Sequence, residues 1–481
     1  MGRLLENALY FAGDARRLVI WDVRNGSGLS TGGVVQYDLD VNGAAQELKV
    51  TMVFTDQPAA LQASLAPVND VSLEVEDPSG NVYQGNVFDT AAGESQTGGS
   101  ADLLNTVEQV VRKTPVTGAW KIRVRAGNVP LGPQGFAIVA TGDVSGTGGP
   151  TFPTEEIVTG AGPGASNPPV VKTWDHAGPP AVVDTWAPYG GAGYGVNVAP
   201  GDIVAGGTPE VLTGPGPGAV YGPQVRAFLP DGTPIAKVSY FAYGTLRYGV
   251  HAGGGDLDGD PHAEIVTSPG PGPVFGPHIR GWNYDGATLT SIGKVSFFAY
   301  ATLKYGARVA GGDADGDGFA EIVTGAGAGA VFTPHVKTFD YDNAAVTARA
   351  SFFAFATGQY GAGVAVGSTD ADAPEEVIAA HGPDPTQPAD VKGFDTSAGV
   401  VNDWTVTVFP TLGGAEAAAG DVDADGVDEL VAAPGWGAAN ASSVRGYDIV
   451  GSGGVPISTI DFTAYAGQTY GTKVAAGDIG I

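Results

Sequence analysis

The chain has 481 residues, and its 77 glycines and 34 prolines would suit disorder, but 43% hydrophobic content with 7 Trp, 17 Tyr and 19 Phe argues for a packed, turn-dense β-fold. A formal net charge of −28 disfavours binding to nucleic acid or acidic membranes and favours calcium. The absence of cysteine excludes disulfides, thiolate zinc sites and cysteine nucleophiles, and no apolar run is long enough to span a bilayer.

The first predicted element is a short helix over GRLLENALYF (2–11), which ends near Gly13. We interpret residues 1–29 as this helix and a lead-in segment. The chain start has no basic region followed by an apolar stretch, which is the pattern of a signal peptide. If the protein is exported, we expect its signal to lie upstream of residue 1.

Residues 30–143 contain alternating hydrophobic runs separated by turn residues, which predicts strands. About eight strands in some 110 residues are typical of a β-sandwich or jelly roll. The runs are VVQYDLDV (34–41), ELKVTMVFTD (47–56), DVSLEVEDP (70–78), NVYQGNVF (81–88), TVEQVVRK (106–113), GAWKIRVRAGNV (118–129) and GFAIVATG (135–142).

Several motifs of this region occur in one order: FTDQPA, PVNDVSLEVEDPSGNVYQGN, NTVEQV and AGNVPLGPQGFAIVATG. They resemble the β-jelly-roll domain that follows the catalytic domain of secreted subtilisin-like serine proteases, and GRLLENALYF resembles the segment that closes that catalytic domain. The resemblance implies a secreted, extracellular protein with a protease domain upstream. Such domains can hold calcium. Asp56, Asn69, Asp70 and Glu108 are candidate ligands here, with turn capping as the alternative.

The catalytic machinery of that family is missing from the chain. A serine–histidine–aspartate triad needs a base beside the serine, but residues 1–150 contain no histidine. The Gly-Thr-Ser-Met segment that is typical of the subtilase nucleophile is also absent, since neither methionine follows a serine. We therefore predict no catalytic residues, no organic cofactor and no peptidase activity.

After a glycine-rich linker (144–153), residues 154–481 repeat one pattern six times. Each repeat has a Glu-Ile-Val-like run, a Gly/Pro-rich turn, a Val/Ile-Lys/Arg-x-aromatic run, an aromatic run such as SFFAY (296–300), and a Tyr-Gly segment, which is degenerate at Gly413. Four short strands in 53 to 57 residues are the signature of a propeller blade. The Glu-Ile-Val-like runs begin at Glu156, Glu210, Glu264, Glu321, Glu376 and Glu429.

The two ends of the array carry complementary half-repeats. Glu156 has no Tyr-Gly half before it, and the last Tyr-Gly half, YGTKVAAGD (470–478), has no Glu-Ile-Val half after it. Pairing of these two strands would close a ring and leave no sheet edge there. The sequence therefore predicts an all-β protein, a jelly-roll β-sandwich followed by a six-bladed β-propeller that the C-terminal strand closes.

Acidic loops of constant spacing precede some of these strands: DLDGDPHAE (256–264), DADGDGFAE (313–321) and DVDADGVDE (421–429). Oxygen ligands at positions 1, 3 and 5, a backbone carbonyl at position 7 and a carboxylate at position 9 can surround one Ca²⁺. A solvated acidic turn is the alternative, but it does not explain why the spacing recurs. The predicted ligands are Asp256, Asp258, Asp260, His262, Glu264, Asp313, Asp315, Asp317, Phe319, Glu321, Asp421, Asp423, Asp425, Val427 and Glu429.

Three departures from this loop pattern bear on metal binding. Pro261 replaces the glycine that eases the turn of the first loop. DIVAGGTPE (202–210) lacks the middle ligands and should hold no metal. STDADAPEE (368–376) begins with serine and lacks the glycine, so it matches less well, with Ser368, Asp370, Asp372 and Glu376 as its ligands.

The loops and the blade pattern over residues 153–481 resemble FG-GAP/VCBS-type repeats, the calcium-loop propellers also seen in integrin α-subunits. The resemblance implies an extracellular binding or scaffold module and names no ligand.

In every repeat a Lys or Arg follows the strand glutamate after 16 residues, as in Glu264 and Arg280. We interpret this pair as a cross-strand or inter-blade ion pair, with a ring of cations for an anionic ligand as the alternative. The aromatic FxAY runs are expected to pack in the core.

Three classes of function remain. The first is a non-catalytic, calcium-stabilised region of a subtilase-like protein that binds a protein, glycan or cell-surface ligand. The second is a self-assembling subunit of an extracellular filament, sheath or surface adhesion assembly. The third, a propeller enzyme, ranks last because no paired carboxylates or histidine cluster recur outside the loops.

Overall fold

Strands account for all regular secondary structure in the described part of the chain, which confirms the all-β prediction. The chain divides into two compact units, Met1–Pro153 and Thr154–Ile481. No described helix is long and apolar enough to cross a membrane, and the helix predicted at 2–11 lies outside the described residues. The computed structural model describes residues 16–24, 28–29, 31–58, 67–146, 156–176, 179–191, 193–204, 209–244, 247–260, 262–273, 275–301, 304–370, 374–422 and 427–477.

The first unit is a sandwich-like sheet that is nearly closed into a barrel. Its hydrophobic residues alternate along the strands and point into one core, with Tyr37, Met52, Trp120 and Ile138 buried there. The strands are β1 (Arg17–Val23), β2 (Val34–Gly43), β3 (Leu48–Val53), β4 (Asp70–Glu76), β5 (Val82–Gln84), β6 (Phe88–Asp89), β7 (Glu94–Ser95), β8 (Val107–Arg112), β9 (Gly118–Asn128) and β10 (Phe136–Gly146).

Strand β10 joins the two halves of this sheet. The strand order is β5-β4-β9-β2-β10-β3-β8, and β1 pairs with β10. Residues 137–141 of β10 pair with β3, whereas Asp143 and the residues after it pair with β2. The change of partner follows Gly142, which has a φ of +157° that few other residues adopt. The predicted run 81–88 divides into β5 and β6, and β6 forms a hairpin with β7.

The second unit consists of six four-stranded sheets, as predicted for a six-bladed propeller. Its strands are β11 (Glu156–Ala161), β12 (Val171–Asp175), β13 (Ala181–Trp186), β14 (Val196–Gly201), β15 (Glu210–Pro215), β16 (Gln224–Phe228), β17 (Pro234–Phe241), β18 (Val250–Gly255), β19 (Glu264–Pro269), β20 (His278–Tyr284), β21 (Leu289–Phe298), β22 (Ala307–Gly312), β23 (Glu321–Ala326), β24 (His335–Tyr341), β25 (Val346–Phe353), β26 (Ala362–Gly367), β27 (Glu376–His381), β28 (Pro388–Asp395), β29 (Val401–Leu412), β30 (Ala415–Gly420), β31 (Glu429–Pro434), β32 (Ser443–Val450), β33 (Gly453–Thr463) and β34 (Thr472–Gly477).

The C-terminal strand closes the ring. Strand β34 is the innermost strand of blade 1 and pairs antiparallel with β11, with Glu156 opposite Gly477 and Ala161 opposite Thr472. Blades 2 to 6 are the consecutive quartets from β14 to β33. The innermost strands β34, β14, β18, β22, β26 and β30 contact one another around the centre. Closure by the last strand is confirmed.

Tyr-Gly turns lead into these innermost strands. Tyr248 has a φ of 76° and Gly249 a φ of 66°, and the same pair of left-handed residues recurs at Tyr194, Tyr305, Tyr360 and Tyr470. A Cβ atom on Gly249 would lie 1.8 Å from the carbonyl oxygen of Pro215 in blade 2. Glycine is therefore required because neighbouring blades approach each other at the turn.

Three of the repeated cations, Arg226, Arg280 and Lys337, bond a neighbouring blade and do not pair with their strand glutamates. Arg280 donates to the carbonyl of Ala242 at 2.6 Å and lies over the ring of Trp282. Lys337 donates in the same way to Ala299 of the preceding blade. The predicted glutamate–cation ion pair is wrong for the described pairs Glu210–Arg226, Glu264–Arg280 and Glu321–Lys337, because each cation bonds a carbonyl instead.

The aromatic FxAY runs divide between core and surface. The tyrosine hydroxyls bond the next blade: Tyr243 donates to the carbonyls of Thr267 and His278 at 2.8 and 2.7 Å. The phenylalanines Phe241, Phe298 and Phe353 are instead 58%, 63% and 62% exposed. Core packing is confirmed for the tyrosine and for the first phenylalanine of the run, since Phe297 packs on Phe339 and Phe352 on Phe394. It is wrong for the phenylalanines at the next position, because side chains alternate between the two faces of a strand.

Candidate metal centres

The predicted metal loops join the innermost strand of a blade to its second strand. Loop 256–264 links β18 to β19, and loop 313–321 links β22 to β23. Glycines in left-handed conformations allow each sharp turn: Gly259 in the first loop, and Gly316 and Gly318 in the second.

Loop 313–321 brings three carboxylates together. Oxygens of Asp313, Asp315 and Glu321 lie within 4.8 Å of one another. Asp313 also accepts hydrogen bonds from the backbone of Gly316 and Gly318 at 2.8 and 3.0 Å, which fixes its direction. The Oδ1 of Asp315 and the Oε1 of Glu321 are buried and have no protein hydrogen-bond partner. Two free carboxylate oxygens therefore remain in a confined site.

Loop 256–264 repeats this arrangement with a separate set of residues. Carboxylate oxygens of Asp256, Asp258 and Glu264 lie within 4.8 Å of one another. The Oε2 of Glu264 accepts a hydrogen bond from the Leu257 backbone at 2.8 Å, and its Oε1 is buried without a partner. The two loops thus offer the same chemistry at the same repeat positions.

Like charges in both sites act against ionisation. Burial, together with repulsion from Asp258 and Asp256, raises the pKa of Glu264 to about 9. Burial and repulsion from Asp315 and Asp313 raise the pKa of Glu321 to about 9 as well. A cation that neutralised the carboxylates would reverse this penalty. The protein without metal holds these groups at an electrostatic cost.

A single arginine distinguishes the two sites. Arg349 lies 2.5 Å from an Oδ2 of Asp315 and 3.5 Å from an Oδ2 of Asp340, and its side chain is 46% exposed. Among the described residues, no Lys or Arg forms an ion pair with Asp256, Asp258 or Glu264. Loop 313–321 therefore has an arginine counter-charge, and no described arginine or lysine plays this part in loop 256–264.

Both loops fit a Ca²⁺ ion, which prefers hard oxygen donors. Loop 313–321 offers two buried oxygens without a partner, and loop 256–264 offers one. Asp260 and Asp317, predicted as ligands at position 5, lie outside the two carboxylate groups. One oxygen of each caps the backbone two residues further on, at His262 and Phe319. The predicted carbonyl ligands of His262 and Phe319 stay predictions.

The other candidate loops are described in part. Asp423 and Asp425 in loop 421–429 and Asp372 in loop 368–376 lie outside the described residues. The glutamates at position 9 are oriented as in the two complete sites: Glu429 accepts from the Val422 backbone at 2.8 Å, and Glu376 from Thr369 at 2.7 Å. The structure gives no geometry for the middle ligands, so Asp421, Val427, Ser368 and Asp370 stay predictions.

The loop predicted to hold no metal has the same glutamate hydrogen bond. Glu210 accepts from the backbone of Ile203 and Val204 at 2.9 and 3.1 Å. Because this loop lacks the middle carboxylates, the glutamate has a structural role that does not depend on metal. Glu264, Glu321, Glu376 and Glu429 accept the same kind of bond from their own loops, and the sequence alone did not reveal this role.

Successive loops are joined by a chain of backbone hydrogen bonds that sequence analysis also missed. The residue before the glutamate donates its N–H to the carbonyl of the first loop residue in the preceding blade. The bonds are Ala263 to Asp202 at 2.7 Å, Ala320 to Asp256 at 2.7 Å, Glu375 to Asp313 at 3.1 Å and Asp428 to Ser368 at 2.7 Å. A metal in one loop would therefore stiffen the boundary between two blades.

The candidate ligands of the first unit mostly serve the backbone. Asp56 accepts hydrogen bonds from Gln57, Val68 and Asn69, and Asn69 donates to Gln134. Glu108 is fully buried and accepts from Leu73 at 2.8 Å, and burial raises its pKa to about 8. Hydrogen bonds to the backbone engage both oxygens of Asp56, and the Asn69 side chain bridges to Leu131 and Gln134.

No protein-family model matches the sequence, and no curated protein matches it. Thirteen solved chains match in structure. One is a chain of the mitotic checkpoint complex, with a TM-score of 0.35, 13% identity, and coverage of 67% of this chain and 85% of that chain. Another is a rhamnogalacturonan lyase of Bacillus licheniformis, with a TM-score of 0.28, 14% identity, and coverage of 87% and 77%.

A lipase of Bacillus licheniformis in its propeptide form also matches, with a TM-score of 0.17, 10% identity, and coverage of 57% of this chain and 43% of that chain. At TM-scores this low, none of the three similarities carries an argument about function. The functional assignment rests on the residues of this chain.

Proposed function

We propose that this chain is a non-catalytic, calcium-stabilised binding or scaffold region of a secreted protein. Its propeller holds Ca²⁺ in loops 256–264 and 313–321, and loops 421–429 and 368–376 are further candidates. The observation that carries the proposal is the pair of three-carboxylate groups with orphaned glutamate oxygens, Oε1 of Glu264 and Oε1 of Glu321. A buried carboxylate without a partner is costly unless a cation neutralises it.

Calcium acts here as a structural ligand. Extracellular sites of this kind bind Ca²⁺ with dissociation constants of about 10⁻⁴–10⁻³ M. At 1 mM calcium, each filled site then adds about 0.4–1.4 kcal/mol to the free energy of unfolding by mass action. We expect a melting temperature that is sensitive to chelators, and a fold that persists without metal.

Thermal unfolding in 1 mM Ca²⁺ and in EDTA tests this proposal. The difference in melting temperature between the two conditions should shrink in Asp258→Ala and in Asp315→Ala, because each variant removes one ligand from a complete site. Asp202→Ala is the matched control, since loop 202–210 lacks the middle carboxylates, and it should retain the wild-type difference. A wild-type curve that is indifferent to EDTA would refute the calcium sites.

The secreted, subtilase-related context rests on the motif order in residues 30–143 and on the FG-GAP/VCBS-like loops. Because residues 1–150 contain no histidine, the chain itself should not hydrolyse peptides. Casein hydrolysis and labelling by a fluorophosphonate probe should both stay at background. Stoichiometric labelling of one serine would contradict this part of the proposal.

A second candidate function, self-assembly into an extracellular filament, sheath or adhesion assembly, is favoured by one observation. Phe241, Phe298 and Phe353 end the outer strands of three consecutive blades and are each more than half exposed. Repeated exposed aromatic side chains suit association with another copy. Light scattering should then show concentration-dependent assembly that Phe298→Ser reduces. Assembly that is absent, or unaffected by the substitution, argues for the binding function.

A further inference from the structure

Six residues face one another in the central channel of the propeller, at the second position of each innermost strand. We call this set the central ring: it consists of Asn197, His251, Arg308, Gly363, Glu416 and Lys473. The ring lines a cavity of about 130 Å³, which is large enough for several water molecules or one small organic anion. The other described residues of the lining are valine, alanine, glycine and one proline, so among them the ring holds all the charge.

The charged members of the ring form one connected group. Arg308 lies 3.1 Å from one carboxylate oxygen of Glu416, and the Nζ of Lys473 lies 2.6 Å from the other. The indole N–H of Trp436 donates to Glu416 at 2.8 Å, and both cations lie over the Trp436 ring, at 5.3 and 4.7 Å from its centroid. Gly363 gives Arg308 room, because a Cβ atom there would lie 2.9 Å from its Nη1.

This group has one more positive than negative charge. Burial opposes ionisation of Glu416, but Arg308 and Lys473 outweigh it and hold the Glu416 pKa below its usual value. Burial and the two cations push the His251 pKa well below its usual value, so His251 is neutral at pH 7. The ring therefore combines two cations with one carboxylate, inside a protein whose net charge is −28.

Two polar atoms of the ring have no partner among the described residues: the Nη2 of Arg308 and the Oδ1 of Asn197. Arg308 is only 6% exposed and Lys473 only 5%. A buried guanidinium donor without an acceptor is costly, and so is an uncompensated buried charge. Both costs disappear if an anion occupies the cavity and accepts from Arg308.

We propose that the central channel of the propeller is a binding site for a small carboxylate anion, held by Arg308 and Lys473 with Glu416 as the fixed counter-charge between them. A planar carboxylate matches the fork of a guanidinium better than a spherical ion does. A cavity of about 130 Å³ suits a small organic acid. This site is separate from the calcium loops, which follow the opposite ends of the innermost strands.

Calorimetric titration of the wild-type chain with sodium acetate at constant ionic strength tests the site. We expect saturable binding, accompanied by a change in the fluorescence of Trp436, which a Trp436→Phe variant identifies among the seven tryptophans. Arg308→Met and Lys473→Met should each weaken acetate binding at least about tenfold, because each leaves the ring without excess positive charge. The wild-type titration does not depend on whether the variants fold.

Lys294→Met is the matched control, since Lys294 is exposed on the outer strand β21 and its loss changes the net charge by the same amount. Acetate binding should be unchanged in this variant. Absence of saturable acetate binding to the wild type would overturn the proposal, and so would undiminished binding to Arg308→Met. If chloride or inorganic phosphate fills the site at a lower concentration than acetate does, the carboxylate assignment is wrong.

Discussion

At the scale of single residues, several positions of the propeller carry the same residue type in successive blades, and one position carries a different residue in each blade. The strand glutamate, the later cation and the Tyr-Gly pair recur because they make repeated backbone contacts, within the blade for the glutamate and with a neighbouring blade for the other two. The second position of the innermost strand instead carries six different residues, Asn197, His251, Arg308, Gly363, Glu416 and Lys473. Because the residue at this position differs from blade to blade, the six side chains can complement one another and form a site.

His381 is another residue that departs from its repeat. It ends strand β27 where blade 4 has Ala326, and its ring stacks on Phe355 at a centroid distance of 3.6 Å. Burial, only partly offset by the nearby Asp390 and Asp384 and reinforced by Lys392, lowers the pKa of His381 to about 4. The unfolded chain, with a histidine pKa near 6.5, therefore binds more protons between pH 6.5 and 4.

Stability should consequently fall as the pH falls through that window, by about 2–3 kcal/mol from this residue alone. His381→Ala should flatten the dependence, because it removes the group that must stay neutral. Denaturant unfolding at pH 4.5, 5.5 and 6.5 measures the slope. If wild type and variant lose the same free energy between pH 6.5 and 4.5, His381 is not the source of the dependence.

Arg349 gives a prediction that separates the two complete metal loops. It occupies an oxygen of Asp315 and so competes with a cation for that ligand. Arg349→Met should strengthen calcium binding by loop 313–321 and enlarge the difference in melting temperature between calcium and EDTA. Combining it with Asp315→Ala should abolish the gain. A difference that shrinks in Arg349→Met would mean that the arginine supports the metal-bound loop.

At the scale of elements, the number of blades, their four strands and the closing strand could be predicted because hydrophobic alternation and the repeat period carry that information. Strand β1 was missed, since its side chains are half-exposed or exposed and its pattern is weak. The hydrogen bonds between loops, such as Ala320 to Asp256, were missed because they join backbone groups, which are the same whatever the residue type. Spacing predicted the carboxylates at positions 1, 3 and 9 of the two loops, but it also included Asp260 and Asp317, which lie outside the groups. The central ring could not be predicted, because its six residues come together only when six strands are placed around one axis.

The repeated cations show what spacing cannot decide. A constant separation of 16 residues from glutamate suggested an ion pair, but the cation reaches a carbonyl of the preceding blade. Arg280→Met should destabilise the chain by about 1–2 kcal/mol, because it removes a charged hydrogen bond to Ala242 and the contact with Trp282.

Arg280→Lys is the conservative control, because Lys337 makes the same bond in blade 4. It should cost less than about 0.5 kcal/mol. Equilibrium denaturation of both variants measures the two values. Equal losses in the two variants would show that the guanidinium itself matters, and a neutral Arg280→Met would show that the inter-blade bond contributes nothing.

At the scale of the whole molecule, the closing strand has two roles at once. Strand β34 covers the edge of β11, and it brings Lys473 to Glu416 of blade 6. Blades 1 and 6 share one core that includes Ile157, Trp174 and Val474. The strand that closes the propeller therefore also supplies Lys473 to the central ring.

Ending the chain after Thr469 should remove both the strand that pairs with β11 and the lysine that pairs with Glu416. Strand β11 would expose an unpaired edge, the fully buried Ile157 would lose its packing against β34, and the cavity would lose one of its two cations. We expect a loss on the order of 5 kcal/mol or more, a large part of the stability of a typical domain, and no acetate binding.

A chain that ends at Gly477 keeps β34 and is the control. Denaturant unfolding compares the two, and a synthetic peptide of residues 470–477 should restore part of the stability by pairing with β11. If the shorter chain unfolds at the same denaturant concentration as the control, blade 1 does not depend on the C-terminal strand, and the ring is closed by other contacts.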